Sequence, residues 1–160
     1  MKDTVDHTGA SVVGQLTDLV SWEATLIMSM RLWMEGPDAQ AEVWRDFARC
    51  FGTEKGREEL RQFETFLSRL LSAARRPLVR HGLGCTCIGS DEAILRLMVR
   101  EATRGDLAEA AMIASLIVPA SLAEPIALMA ARVGIAMRDI ARHLPTAPVP
   151  NGPPQVRRLH

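Results

Sequence analysis

Residues 81–92, HGLGCTCIGSDE, set an imidazole and two thiols within seven positions, His81, Cys85 and Cys87, with the carboxylates of Asp91 and Glu92 close behind. Thiolate and imidazole are favoured donors for zinc and for softer ions, which hold them at about 2.0–2.3 Å. Gly82, Gly84 and Gly89 give the backbone the freedom to wrap such donors around one ion. The leading expectation is therefore a zinc site on His81, Cys85 and Cys87, with Asp91 as the candidate fourth ligand. Glu92, His7, Cys50, water or a second subunit remain open for that place. The spacing C-x-C is not that of a paired C-x-x-C knuckle, so packing of both cysteines as small apolar groups is the competing expectation.

The same atoms admit a second chemistry. Arg75, Arg76 and Arg80 precede the loop, and a helix starting near Ser90 aims its amides back at it. Cations and helix N-termini both favour thiolate, which makes a redox pair or a reactive thiol the alternative. Asp91 and Glu92 oppose that effect.

Further charged residues stand where partners must be found. Arg96, Arg100 and Arg104 recur every four residues, so they share one helix face. With Arg76 and Arg80, Arg96 and Arg100 form the candidate anion or partner-binding set, although a solvated face with Glu92 paired to Arg96 is the favoured explanation of the stripe. Glu23 interrupts the apolar side of the first helix and needs a counter-group such as an arginine. Asp139 and His143 lie four apart, and His143 is already suited to a helix end by the dipole.

The elements that would position these groups are helices. Tyrosine is absent, and Ala, Leu, Met, Arg and Glu dominate, with no two-residue alternation of apolar and polar residues. Helical periodicity predicts a first helix over about 11–35, stopping at Gly36-Pro37, and a second over about 38–51. A third follows Gly52 with Thr53 as its cap and Leu60, Phe63, Phe66, Leu67, Leu70, Leu71 and Ala74 as its stripe. Ser90 opens a fourth helix, to about Arg104. Gly105-Asp106 breaks and recaps the chain for a fifth, to about Val118, and Ser121 with Glu124 starts a sixth, to about His143.

The fifth and sixth helices carry Leu107, Met112, Ile113, Leu116, Ile117, Ile126, Leu128, Met129, Val133, Ile135 and Met137. Helices this apolar belong at the centre of a bundle or against another subunit. The expected fold is an all-α, single-domain bundle of about six helices with a central apolar helical hairpin. Residues 1–10 are expected to be a flexible N-terminus, 11–144 the bundle, and 145–160 a proline-rich flexible tail.

Composition narrows the function classes. Nineteen basic and nineteen acidic residues cancel, which argues against a nucleic-acid partner. The uncharged run Ala110–Ala123 is too short for a spanning helix, so no membrane role is expected. The start MKDTVD lacks the apolar run of a secretory leader, and the three cysteines are an odd number, which makes the cytoplasm the expected compartment. No Walker loop, H-E-x-x-H, nucleophile elbow or dinucleotide turn occurs, so a non-enzyme is favoured over an enzyme. The expectation is a metal-binding or regulatory interaction module, a homo-oligomer with room for a protein partner. A metal-free homodimeric scaffold and a thiol redox sensor or enzyme are the alternatives.

Overall fold

The computed structural model describes residues 8–144 and 156–159. They form an all-α bundle of six helices: α1 Ser21–Glu35, α2 Pro37–Phe51, α3 Thr53–Ala73, α4 Ser90–Arg104, α5 Leu107–Ala114 and α6 Ala120–His143. Three of the breaks between helices are glycines whose φ values only glycine adopts easily, Gly36 at 127°, Gly52 at 80° and Gly105 at 93°. Pro37 follows as the first residue of α2, where its missing N–H costs nothing.

The caps differ in part from expectation. Asp106 does accept from the Glu109 amide, but Thr53, Ser90 and Ser121 each fall inside their helices rather than at the cap. Gly89 caps α4 instead, and the Glu92 side chain reaches back to its amide.

The first expected helix is shortened at its front. Residues 11–20 form β1, Val12–Gln15, and a single 3-10 turn, Leu16–Asp18, before α1 starts at Ser21. Val12 and Val13 favour extended backbone, and β1 finds an antiparallel partner in β3, Cys87–Gly89. A second ladder joins β2, Val79–His81, to β4, Val156–Arg158. Two-residue alternation cannot reveal strands three or four residues long. Residues 156–158, which lie in the segment the prolines assign to a tail, thus pair with β2, and Leu159 beyond them is buried.

α6 carries the centre of the bundle and packs against all five other helices. Its buried side includes Ala123, Ala127, Ala130 and Gly134, small residues that let neighbouring backbones come close. A Cβ on Gly134 would collide with the Thr103 hydroxyl of α4, so this glycine sets the α4–α6 approach. By length and composition α6 also meets the requirement for crossing a bilayer; Ile126, Val133, Met137 and Ile140 are buried within the bundle, while Leu122, Leu128 and Ile135 are exposed. On the other side, Phe63 of α3 stacks edge-on to Trp33 of α1 and tilted to Phe47 of α2, with centroids 6.1 and 5.9 Å apart.

Candidate functional site

The loop 82–86 lies between β2 and β3 and is enclosed by α1, the start of α4 and the turn Thr8–Ala10. His81 and Cys85 are both 1% exposed. The His81 ring places Nε2 3.1 Å from the Ala10 carbonyl. A carbonyl only accepts, so Nε2 donates to it. The Cys85 sulfur stands 3.6 Å from Nδ1 of the same ring, and the Cys87 amide donates to that sulfur at 3.3 Å. A thiol, a base and a group orienting the base are the components of an activated nucleophile. Here they are closed off from any substrate.

The other expected ligands are engaged elsewhere. The Cys87 thiol is half-buried and accepts from Gln15 Nε2 at 3.7 Å. Asp91 holds Arg76 through both carboxylate oxygens, at 2.7 and 2.9 Å, and also accepts the Val79 amide at 2.8 Å. Among the described residues no three of His, Cys, Asp or Glu come together as a metal-holding group. His7 lies outside the described residues.

What the loop does surround is a guanidinium. Arg31 of α1, with no solvent exposure, lies at its centre. Its Nη1 donates to the carbonyls of Gly82, at 3.3 Å, and Cys85, at 2.7 Å. Its Nη2 donates to the carbonyl of Cys87 at 2.7 Å and to Glu92 Oε2 at 2.9 Å, and its Nε donates to Glu92 Oε1 at 2.7 Å. Every one of the five N–H donors of an arginine is thereby used. Glu92 is equally complete. Besides the two-pronged contact with Arg31 it accepts the Gly89 amide at 2.9 Å and the His81 amide at 3.3 Å. Burial of an ion pair is tolerable only when its remaining donors and acceptors are met, and in this clasp they are.

Two glycines make the closure sterically feasible. A Cβ on Gly9 would run into the Asp91 carboxylate, and one on Gly89 would press on the Gly9 carbonyl and the His81 ring at 3.0 Å. Arg80, 3% exposed, completes the surround by reaching Glu35 at 3.2 Å.

The candidate anion-binding set therefore divides. Arg76 and Arg80 belong to the clasp, whereas Arg96 and Arg100 line a separate cleft between the start of α1, α4 and the end of α6. Glu23 finds its arginine there: Arg96 lies 2.7 Å away, and Glu92 pairs with Arg31 rather than with Arg96. At the bundle's edge His143 Nδ1 donates to the Asp139 carbonyl at 2.8 Å, with the Cys50 sulfur 3.6 Å off. Burial, reinforced by the charge of Asp139 and opposed by Lys55, pushes the Cys50 thiol above its ordinary value.

Arg31 is the functional-looking residue that sequence reasoning passed over. The available signal was a charged residue four positions after Ile27 on the buried side of α1, the same signal that drew attention to Glu23. Compared with protein families, curated proteins and solved structures, the chain finds no match in any of the three.

Proposed function

We propose that the protein is a helical binding module that acts as a homodimer, joined through the outer side of α5 and the adjoining surface of α6, with the histidine–cysteine loop serving as a structural clasp. The supporting observation is where α5 sits. Although almost wholly apolar, it fully buries only Ala110 and Ala114, while Met112 and the following Leu116 are 63% and 66% exposed. α6 adds Leu122, Leu128 and Ile135, also exposed. Burying a large apolar side chain is worth about 1.5–3 kcal/mol, so several left in water favour a covering partner.

A second copy suits this surface better than a strongly charged partner. The charges nearby are few, Glu109 and Glu124 with Arg132, and Arg132 is already tied to Glu58 and Glu59 of α3. A sparsely charged apolar face can meet a copy of itself, as a two-fold contact requires. Sedimentation equilibrium of the full chain should return twice the monomer mass. Leu116→Glu combined with Leu128→Glu should return the monomer mass with an unchanged circular dichroism spectrum. A wild-type chain that sediments as a monomer removes this reading.

A second reading, a zinc site, is favoured by one distance. The 3.6 Å between His81 Nδ1 and Cys85 Sγ is the separation of two ligands on one tetrahedral zinc with bonds of about 2.0–2.3 Å. It needs further donors from outside the described residues or from water. Elemental analysis with and without chelation separates the two readings: stoichiometric zinc and a melting temperature lowered by chelator support the zinc site, and metal-free protein with unchanged melting rejects it.

A further inference from the structure

The cleft between the start of α1, α4 and the end of α6 has a volume of about 750 Å³, within the range of small-molecule sites. Arg96, Arg100 and Arg104, four apart on α4, face Arg138 and Arg142, four apart on α6, across it. Four of these guanidiniums touch carboxylates, each through a single nitrogen: Arg96 to Glu23 at 2.7 Å, Arg100 and Arg104 to one shared Glu101 oxygen at 2.9 and 3.4 Å, and Arg142 to Asp139 at 3.2 Å. Asp18 adds one more carboxylate to the wall. Five cations thus face four anions, and most of the guanidinium N–H donors point at no carboxylate.

A helix dipole attracts Arg104 and Arg142 to the ends of their helices, and Arg96 holds the buried Glu23 carboxylate, but Arg138 lies more than a turn inside α6. Arg138 has no hydrogen bond or ion pair among the described residues. An oxyanion with three or four acceptor oxygens would take open guanidinium donors from both helices at once and so bridge them. Carboxylate ligands offer only two oxygens. Trp22, at the start of α1, forms part of the same wall and supplies an aromatic surface beside the guanidiniums.

We propose that this cleft binds a small organic phosphate, its phosphate oxygens shared among the arginines of α4 and α6 and its apolar or aromatic body lying against Trp22. The site is independent of the α5 surface, so a monomeric protein would leave it intact. The test is calorimetric titration of the full chain with ADP and, separately, with inorganic pyrophosphate. Both should bind saturably, ADP more tightly, and with affinity that falls as salt rises. Arg138→Ala, which breaks no contact in the free protein, should weaken both by about tenfold or more. Arg132→Ala, on the same helix but outside the cleft, should leave both unchanged. Absence of saturable binding, or equal effects of the two substitutions, overturns the proposal. Equal affinity for ADP and pyrophosphate overturns the part assigned to Trp22.

Discussion

The clasp and the cleft are built from the same two residue types, arginine and carboxylate, and come out as opposites. In the clasp Arg31 and Glu92 are dehydrated and meet through two parallel bonds, and the remaining donors and acceptors of both are taken by backbone groups of the loop. In the cleft each pair is a single contact, Glu101 is divided between two arginines, and Arg138 has no ion pair among the described residues. Charges locked to one another through every donor hold a shape, whereas guanidiniums left open on a cleft wall are free to take a ligand. The residues with the most reactive chemistry, His81 and Cys85, thus sit in the part of the molecule built to stay closed, while plain surface arginines form the part left open.

That contrast fixes an order of effects. Arg31→Met should cost about 3–5 kcal/mol in a denaturant-unfolding experiment, because it leaves the buried Glu92 charge alone. Adding Glu92→Leu should not restore stability as it would for an isolated ion pair, since the carbonyls of Gly82, Cys85 and Cys87 would still lack their donor. Full recovery in the double variant would show that the loop does not depend on the guanidinium. Gly9→Ala should cost about 1–3 kcal/mol by forcing a methyl group onto the Asp91 carboxylate, measured the same way. In the cleft Arg104→Ala, 63% exposed at its side chain, should change stability by no more than about 0.5 kcal/mol, and a larger loss would mean the cleft too is structural. The smallest effect is on rate at a site apart from both regions. Because the Cys50 thiol is pushed up, less thiolate exists at a given pH, so its alkylation at pH 8 should be slower than that of a free thiol and should rise as pH climbs through the raised value.

The helical frame was legible because its punctuation is chemical. Gly36, Gly52 and Gly105 occupy backbone regions that side chains avoid, Pro37 and Pro119 mark starts and stops, and Asp106 caps α5. The strands were not legible, because β1 and β2 are paired by segments 72–77 and 75–79 residues away, and three or four residues carry too little pattern to announce it. Grouping His81 with Cys85 was legible from spacing alone. That Cys87 would turn toward Gln15 was not, since alternation along β3 sends its side chain away from Ile88, and β3 exists only once β1 lies beside it. Arg31 stayed hidden for a related reason: beside Glu92, 61 residues away, its partners are three backbone carbonyls, which every residue has and no sequence marks.

The claim most exposed to test is that the loop's thiol is sealed by the clasp. Mass spectrometry of the native protein, alkylated along a shallow denaturant gradient, would follow Cys85 and Cys87 separately. The account predicts that Cys87 reacts in native buffer whereas Cys85 reacts only at the rate of global unfolding, and that Arg31→Met abolishes the difference. Cys85 labelled as fast as Cys87 in the folded wild-type protein would contradict it.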